Sequence, residues 1–468
     1  MKILLVLPAT PHLRVTKASP NVPKRAMLRF SLLPLTTVAA LTPPGHEITL
    51  CDENVEPLDF DGGYDLVAIS FMTAFAPRAY EIAAAFHSKG VPVVAGGYHP
   101  TFRPEEVAEF FDAVVVGDAE ELWPQLVRDA ERGELQPIYR HTSPPSIDAP
   151  PLPRRDLLRK TARHYVTTDA VQIGRGCLHN CRYCSVTAFH CSTYRRRSLQ
   201  SVLDELQQIG RNFIFVDDNI IADPDFAKEL FTAMIPLKKR WVSQASITLA
   251  DDSELLDLAK KAGCQGLFVG IETTNPDNLA AVGKEFNDAT AYRQRIKRIR
   301  RSGIGIIAGI IVGMDQDTPG VFERTLRFLQ QTRIDALQVN ILTPLPGTPL
   351  FDDYAEADRI LDRDWSHYDY RHVVFQPMGM SAEALQDGAD WLYRQFYRWD
   401  RIALRTLRNL FTLGPIQALL TYRLNMTYHY DNIREKIVGR NPARFSQKQQ
   451  RLETDPSLVD KSFISQGS

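Results

Sequence analysis

The chain has 468 residues, of which 44% are hydrophobic and 24% are charged, and its formal net charge is −1. This is the composition of an ordinary globular protein, and at roughly 100–200 residues per domain the length predicts about three domains. A net charge near zero excludes a general attraction of the whole molecule to nucleic acid or anionic membranes, so any such attraction must be local.

The amino terminus, MKILLVLPATPHLR, is apolar but does not have the pattern of a signal peptide. Its apolar stretch is short, is interrupted by Pro8 and lacks a small-residue cleavage pattern. Apolar stretches elsewhere fall short of the roughly 18 residues that a membrane span needs. Three of the six cysteines lie within eight residues of one another, which in a reducing compartment indicates metal binding. We therefore expect a cytoplasmic protein without a transmembrane segment.

Residues 1–140 alternate short β-branched runs with amphipathic stretches such as RAYEIAAAFHSKG. The predicted strands are residues 3–7, 47–51, 66–70, 91–95 and 113–116. This alternation predicts an α/β domain with a parallel sheet. Ligands of such sheets bind at the carboxyl ends of the strands, where this sequence places Pro8 and the segments SFMT, AGGYHP and GDAEE.

The Pro-rich stretch HTSPPSIDAPPLPRRD predicts an extended linker over residues 141–165. Strand–helix alternation resumes over residues 166–350, with predicted strands at 171–173, 213–216, 241–246, 266–271, 304–311 and 337–342. Six βα units predict a partial (β/α)6 barrel, and spacing alone leaves an open doubly wound sheet as the alternative.

Residues 351–450 are predicted to form a mainly helical cap, and the polar residues 451–468 a disordered tail. Aromatic residues of the cap, Trp365 and Tyr370 among them, are expected mostly in the core, with pocket lining as the alternative. From Arg398 to Arg451 there are eleven Lys or Arg against three Asp or Glu, interleaved with Leu, Phe, Tyr and Trp. This pattern indicates the solvated face of a packed cap, and peripheral contact with a membrane surface or lipid-like substrate is the alternative.

Three cysteines form the pattern C-x3-C-x2-C directly after the first predicted barrel strand: Cys177, Cys181 and Cys184. Three thiolates fill three corners of an iron–sulfur cubane and leave its fourth iron open. Zinc competes with this interpretation, since His179, His190 or Cys191 would complete a tetrahedron, although structural zinc sites usually come as two C-x2-C-type pairs. The compact triad favours a [4Fe-4S] cluster, and buried thiols without a metal are the remaining alternative.

With the aromatic Tyr183 before its last cysteine, the pattern is the signature of the radical S-adenosylmethionine (SAM) superfamily, which the chain resembles over residues 171–350. The resemblance implies that the open iron chelates SAM and that the reduced cluster cleaves SAM to methionine and a 5′-deoxyadenosyl radical, which abstracts a substrate hydrogen. It also implies an external one-electron reductant such as flavodoxin or ferredoxin, and it places Tyr183 against the adenine.

The same resemblance implies further SAM contacts at successive strand ends. Two neighbouring aspartates would hold the methionine amino group, and the other candidates would reach the ribose, methionine and adenine. The candidates are Asp217, Asp218, Ser246, Glu272, Gly309 and Gly313. Carboxylates suit an ammonium group, and barrel chemistry concentrates at strand ends. The alternative for each carboxylate is a helix cap or a surface ion pair.

Joined to such a barrel, residues 1–140 resemble the Rossmann-like cobalamin-binding domain of the B12-dependent radical SAM class, with matches in YDLVAISFMT, RAYEIAAAFHSKGVPVVAGGYHPTFRPEE and DAVVVGDAEELWP. The chain lacks the D-x-H-x2-G pattern that places a histidine on cobalt in other B12 enzymes. Many members of the class also lack it, so the resemblance implies cobalamin bound without that histidine. A residual fold that serves only packing or substrate binding is the alternative.

Cobalamin contacts are expected at the strand ends of this domain. The candidates are Ser70, Thr73, Gly96, Gly97, Gly117 and Glu120. His99, in GGYHP, is expected to be a loop or interface histidine rather than a cobalt ligand.

C-methylation of an unactivated carbon is the commonest activity of the class. The segment RDWSHYDYRHVVFQPMGMSAEAL resembles the group that includes hopanoid C-methylases, which implies a small-molecule or lipid-like substrate. One alternative is non-methylating radical chemistry, such as cyclisation or ring rearrangement, with cobalamin absent or used for electron transfer. A non-catalytic zinc or iron–sulfur module is the other. The basic helix RQRIKRIRR comes without an added RNA-binding domain, so nucleic acid is not an expected partner.

Overall fold

The computed structural model describes residues 1–10, 14–16 and 32–438, and for residues 430–438 it describes only the backbone. The predicted disordered tail at 451–468 and the last part of the predicted helical cap lie outside the described residues.

The first β-rich region forms a parallel sheet of six strands. They are β1 (Lys2–Leu7), β2 (Glu47–Asp52), β3 (Leu66–Ser70), β4 (Val93–Gly96), β5 (Ala113–Val116) and β6 (Ile138–Arg140). The strand order is β2-β1-β3-β4-β5-β6. Because this order reverses between β1 and β3, the loops that follow these two strands border a crevice, the usual ligand position in a doubly wound sheet.

Helices cover both faces of this sheet, and they are α1 (Leu33–Leu41), α2 (Ala76–His87), α3 (Tyr98–Phe102), α4 (Pro104–Ala108) and α5 (Leu122–Arg132). Alternate residues of β1 enter separate cores, because neighbouring strand residues point to opposite faces. Leu4 belongs to the core that includes residues of α2, whereas Leu5 belongs to the core that includes residues of α1 and α5. The predicted Rossmann-like α/β fold is thereby confirmed.

The second parallel sheet has six strands in chain order. They are β7 (Ala170–Val171), β10 (Asn212–Phe215), β11 (Arg240–Ala245), β12 (Cys264–Glu272), β13 (Gly305–Val312) and β14 (Ala336–Ile341), with an antiparallel hairpin of β8 (Gly174–Gly176) and β9 (Tyr194–Arg196) beside them. The strand order does not reverse, as expected for an open partial barrel and unlike a doubly wound sheet. The predicted partial barrel is confirmed.

The helices of the barrel region are α6 (Ser185–Phe189), α7 (Leu199–Gln208), α8 (Pro224–Met234), α9 (Ser253–Lys261), α10 (Pro276–Ala281), α11 (Tyr292–Arg301), α12 (Val321–Thr332) and α13 (Pro349–Glu356). Strand residues that face the helices are buried, as Leu267 and Val269 of β12 are. Their neighbours Phe268 and Gly270 are only half-buried. The inner face of the barrel therefore encloses an accessible space.

The carboxy-terminal region is helical, as predicted, and consists of α14 (Ala382–Phe396), α15 (Trp399–Thr412) and α16 (Pro415–Val438). Short 3-10 helices also occur, at Thr73–Phe75, Arg155–Leu158, Ala162–His164, Ile235–Leu237, Ile247–Asp251 and Trp365–His367. The hydroxyl of Tyr397, just after α14, donates to the Leu337 carbonyl at 2.7 Å and accepts from its N–H at 2.9 Å. In the described part of the chain, none of the helices combines the length and the apolar character that a membrane crossing requires.

The segment predicted to be an extended linker is fixed to both sheets. Tyr165 donates to Asp52 of β2 at 3.0 Å. Arg155 and Arg197 both donate to the carboxylate of Glu205 in α7, which is 1% exposed. The predicted linker therefore contacts both sheets, and its Arg155 shares the buried carboxylate of Glu205 with Arg197.

Replacing this carboxylate separates the ion network from the rest of helix α7. Glu205→Ala should lower the free energy of unfolding by about 3 kcal/mol, because two mostly buried arginines lose their shared partner. Asp204→Ala, at an exposed position of the same helix, should change it by less than about 0.5 kcal/mol. Denaturant unfolding followed by circular dichroism measures both, and equal effects of the two variants would contradict this account.

Candidate active site

The cysteine loop starts at a close approach between β8 and β9. Gly176 has a φ of 91°, and a Cβ at this position would collide with the Thr193 carbonyl oxygen. Glycine therefore allows the hairpin to continue up to the residue before Cys177. At the other end of the loop, Cys184 is the N-cap residue of α6, and its N–H donates to the Cys181 carbonyl at 3.1 Å.

Loops at the carboxyl ends of the barrel strands hold the cysteine loop in place. The Arg182 N–H donates to the Val282 carbonyl at 3.0 Å, and the Leu350 N–H donates to the Arg182 carbonyl at 3.1 Å. The Cys181 Sγ lies 3.8 Å from the Gly283 carbonyl oxygen. The three cysteines thus lie over the end of the barrel where chemistry concentrates in related folds.

A buried lysine adjusts the electrostatics of this loop. Lys284 forms an ion pair with Glu272, and its Nζ lies 3.4 Å from the Tyr183 hydroxyl. Burial raises the pKa of Cys181 to about 12 and also raises that of Cys177, whereas the positive charge of Lys284 lowers both pKa values. Because cluster ligands are thiolates, Lys284 favours the ligating form of the cysteines.

The side chains that a zinc site would recruit have other partners. The His179 ring stacks on Phe286 with centroids 3.6 Å apart, and His190 Nδ1 lies 3.1 Å from Arg195. Among the residues that the structure describes, no three His, Cys, Asp or Glu side chains are placed to share a single metal ion. Each cysteine of a cubane binds a different iron, so three free thiols on one loop fit a [4Fe-4S] cluster.

The two adjacent aspartates after β10 have different surroundings. Asp217 is 2% exposed, and its oxygens accept from the Ile173 N–H at 3.0 Å and the Gly174 N–H at 2.7 Å. Its carboxylate therefore supports the backbone beneath the cysteine loop, and the expected SAM contact of Asp217 stays a prediction. Asp218 is half-buried, its charge acts on Cys177, and burial raises its own pKa to about 6.

The other SAM candidates also differ from one another in their surroundings. Ser246 directly follows β11 and caps a 3-10 helix by accepting from the Thr248 N–H at 3.3 Å. Gly309 lies on the inner face of the barrel, where a Cβ would come within 2.7 Å of the Phe268 ring. A Cβ at Gly313 would instead lie 2.6 Å from Leu385 of α14. Gly313 therefore packs against the carboxy-terminal region, and its expected SAM contact stays a prediction.

Four of the predicted cobalamin contacts lie half-buried at the carboxyl edge of the first sheet: Ser70, Gly96, Gly97 and Gly117. Gly97 has a φ of 104°, and a Cβ there would come within 2.8 Å of the Phe71 carbonyl oxygen. Only glycine suits this position, and the edge is consequently formed by backbone. A backbone edge without projecting side chains fits a broad flat ligand such as a corrin.

Thr73 and His99 lie behind this edge. Thr73 is 5% exposed, with its hydroxyl 3.4 Å from His99 Nδ1, so it packs in the interior and its expected cobalamin contact stays a prediction. His99 is also fully buried, with Nε2 3.1 Å from the Tyr80 hydroxyl and its ring 5.3 Å from Trp365. The structure thus places His99 at an interface with the carboxy-terminal region.

Helix α3, which follows β4, packs directly against α6, the helix that follows the third cysteine. The Tyr98 ring lies 4.6 Å from the Phe189 ring of α6. Burial raises the pKa of Tyr98, as do the charges of Asp218 and Cys184. Tyr370 joins them from the carboxy-terminal region, where burial and Cys184 raise its pKa to about 12. All three regions of the chain therefore meet at Cys184.

An ion network also joins the first sheet to the cysteine loop. Asp118 accepts from Arg175 at 2.9 Å and from Arg195 at 2.6 Å. Burial would raise the pKa of Asp118, but the two guanidinium groups hold it below its usual value. Glu120 forms an ion pair between domains with Arg175 at 2.6 Å, and its expected cobalamin contact stays a prediction.

Sequence reasoning missed three residues of this site, although two had a signal. Tyr98 directly follows the predicted Gly97, and Asp118 directly follows Gly117, so their neighbours marked the right loops. Lys284 lies twelve residues after Glu272 beyond a short helix, and nothing in its local sequence indicates an approach to the cysteines.

Known proteins share both halves of this arrangement. The family model of the Radical SAM superfamily matches residues 171–329, and that of the B12 binding domain matches residues 32–127. The chain is 31% identical over 385 residues to the bacteriochlorophyllide d C-12(1)-methyltransferase of Chlorobaculum tepidum, an alignment that covers 80% of this chain and 84% of that protein. It is 27% identical to the hopanoid C-2 methylase of Rhodopseudomonas palustris, over 70% of this chain and 65% of that one.

Among solved structures, the radical SAM methyltransferase TsrM from Kitasatospora setae, with cobalamin and a [4Fe-4S] cluster bound, shares the fold with a TM-score of 0.60 at 18% identity. The likeness covers 76% of this chain and 78% of TsrM. Fold and site together define a radical SAM enzyme with a B12-binding domain. The chain belongs to the cobalamin-dependent radical SAM family and is a methyltransferase, with a [4Fe-4S] cluster, SAM and cobalamin as its cofactors. The predicted family, activity and cofactors are confirmed.

The two aspartates allow stability and SAM binding to be tested separately. Asp217→Ala should lower the free energy of unfolding by about 2–4 kcal/mol, because two buried backbone N–H groups lose their acceptor. Asp218→Ala should leave the unfolding transition nearly unchanged and weaken SAM binding at least about tenfold, as expected for loss of a charge-assisted contact. Thermal unfolding and equilibrium SAM titration measure the two effects, and the reverse pattern would contradict the division.

Proposed function

We propose that this enzyme methylates an unactivated side-chain carbon of a chlorophyll-type tetrapyrrole. The observation that carries the proposal is the contact between Tyr98 and Phe189, which brings the edge expected to hold cobalamin next to the cysteine loop. A methyl donor and a radical source then open on the same enclosed space. C-methylation of an unactivated carbon needs both at once, because the carbon must lose a hydrogen before it accepts the methyl group.

In this proposal, Cys177, Cys181 and Cys184 hold the cluster, which when reduced cleaves SAM and supplies the 5′-deoxyadenosyl radical. SAM is held by a set formed by Tyr183, Asp218, Ser246, Glu272 and Gly309. Lys284 holds Glu272 through an ion pair in which both side chains are mostly buried, and its Nζ also approaches the Tyr183 hydroxyl. Asp218 is a carboxylate of raised pKa that an ammonium group would return to its ionised form.

Ser70, Gly96, Gly97 and Gly117 hold the corrin in this proposal, and cobalamin supplies the methyl group. His99 is buried against Tyr80 and Thr73, so this proposal places no histidine on cobalt. Tyr98 forms the wall between the two cofactors. Its ring excludes water from the space where the radical and the methyl group meet.

The relative that acts on bacteriochlorophyllide d covers most of this chain, which supports a tetrapyrrole as the substrate. The inner face of the barrel supports the same class. Its half-buried side chains include the apolar Val242, Phe268 and Ile307 together with the amides Gln338 and Asn340. Flat apolar ligands with a few polar groups suit a pocket of this composition.

We also propose that the electron comes from a flavodoxin or ferredoxin. The enzyme acts in the cytoplasm, with peripheral contact to a membrane surface. The functional division follows the sequence, with the cobalamin domain at residues 1–140, a spacer at 141–165, the SAM barrel at 166–350 and the cap at 351–450.

Product counting tests the reaction. Reconstituted anaerobically with iron, sulfide and cobalamin and supplied with SAM and a reductant, the enzyme should convert bacteriochlorophyllide d to a methylated product, with equal amounts of S-adenosylhomocysteine and 5′-deoxyadenosine. Formation of 5′-deoxyadenosine without S-adenosylhomocysteine would overturn methylation. Methylation of a hopanoid but not of the tetrapyrrole would overturn the substrate class.

Two cysteine variants test the cluster assignment. Cys177→Ala should lose cluster iron and the reductant-dependent SAM cleavage, because a cubane with an open iron needs all three thiolates. Cys191→Ala, at an exposed cysteine outside the motif, is the matched control and should retain both. Iron analysis and chromatography of 5′-deoxyadenosine provide the measurements, and equal losses in both variants would contradict the assignment.

A variant at the wall tests the coupling of the two cofactors. Tyr98→Ala should raise the ratio of 5′-deoxyadenosine to methylated product several-fold, about threefold or more, because the radical is then quenched before methyl transfer. Phe110→Ala removes an exposed aromatic ring of the same domain and should leave the ratio unchanged. A Tyr98→Ala enzyme with the normal ratio would show that this side chain does not separate the cofactors.

A further inference from the structure

Helices α15 and α16 form a hairpin whose polarity is the reverse of that of an ordinary surface hairpin. The side chains that face the barrel include polar ones that are buried: Arg405, Asn409, Gln417, Thr421 and Asn425. The side chains that face outward include large apolar ones: Leu404, Leu407, Phe411, Ile416, Leu419 and Leu420. Surface helices normally place their apolar stripe towards the core.

Directional hydrogen bonds fix the polar side against the barrel. Arg405 donates to Asn425 Oδ1 at 2.6 Å, which joins the two helices. Asn409 donates to Asp335 Oδ1 at 2.7 Å, and Gln417 donates to the Gln265 carbonyl at 2.7 Å. Turning the hairpin over would leave these buried groups without partners, so its apolar side is committed to the outside.

The outward side is strongly exposed and continuous along the hairpin. Phe411 is 80% exposed, Leu404 59% and Leu407 55%, and their spacing of three and four residues places them along one side of α15. Gly414, with a φ of 92°, makes the turn into α16, whose second residue is the exposed Ile416. Apolar surface of this kind marks an interaction site, whereas isolated exposed residues do not.

Charge identifies the kind of partner. From Arg398 to Arg451 the sequence has eleven Lys or Arg and three Asp or Glu, although the whole chain carries a net charge of −1. On the described helices, Arg401 and Arg423 are exposed at the borders of the apolar side. Apolar side chains bordered by basic ones are the pattern of helices that lie in the interface of an anionic membrane.

We infer that the outer side of the α15–α16 hairpin docks the enzyme onto an anionic lipid surface. The apolar side chains enter the boundary between headgroups and acyl chains, and the arginines pair with lipid phosphates. Asp335 directly precedes β14, and Gln265 is the second residue of β12. The hairpin is therefore attached at the amino-terminal end of the barrel, opposite the cysteine loop. This docking is independent of the substrate proposed above.

Vesicle binding tests the inference with the full-length protein. The enzyme should co-sediment with vesicles of phosphatidylcholine mixed with phosphatidylglycerol, and less with vesicles of phosphatidylcholine alone. The double variant Leu407→Ser/Phe411→Ser should bind the mixed vesicles at least about tenfold more weakly, because two inserted apolar side chains are lost. Arg401→Gln/Arg423→Gln should weaken binding and reduce its dependence on salt.

A matched control is the double variant Leu361→Ser/Met378→Ser, which alters two exposed apolar side chains outside the hairpin and should bind like the unaltered enzyme. Both serine variants should keep the normal unfolding temperature and the normal SAM cleavage. Absence of vesicle binding by the unaltered enzyme, or full binding by the hairpin variant, would overturn the inference. A dimer that the hairpin variant converts to monomer, without vesicle binding, would assign the surface to a second copy instead.

Discussion

The structure depends on one contact between domains, the packing of α3, the helix after β4, onto α6, the helix that follows the third cysteine. Tyr98 and Phe189 form this contact, and Asp118 reinforces it through Arg175 and Arg195. The contact matters because a substrate radical and its methyl donor tolerate misplacements of no more than about 1 Å. An apolar contact excludes water, while the ion network fixes orientation, so the two kinds of interaction have complementary effects at the same boundary.

Contacts beyond the covalent linker hold the two sheets in their relative positions. The carboxy-terminal region contacts both, since Trp365 donates to Glu106 of the first domain at 2.7 Å and Tyr397 bonds the backbone of β14. Domain interfaces within a chain permit relative motion unless they are extensive or cross-braced. Here a third region braces the other two and also supplies Tyr370 at the meeting point, which couples the geometry of the site to the folding of the last segment.

Hydrophobic periodicity was sufficient to predict eleven of the fourteen strands in the described part of the chain, because each of these eleven is a short, largely apolar run. It missed β6, which has three residues after Pro137, and the hairpin of β8 and β9, which has no apolar pattern. Cysteine spacing located the centre of the site. Neighbouring residues of an extended chain point in opposite directions, and the sequence does not show which of Asp217 and Asp218 points into the protein. It could not find Lys284 either, whose role depends on a loop packing that only the folded barrel creates.

The reversed polarity of the α15–α16 hairpin has an energetic consequence for how it is attached. An ordinary helix is held to its protein by apolar burial, which is strong but not directional. This hairpin instead depends largely on a polar network centred on Asp335, Asn409 and Asn425, whose bonds contribute only if every member is satisfied. Such a network fixes the orientation of the hairpin more strictly than apolar packing would. It thereby keeps the apolar surface turned away from the barrel and leaves the opposite end, with the cysteine loop, uncovered when that surface is occupied.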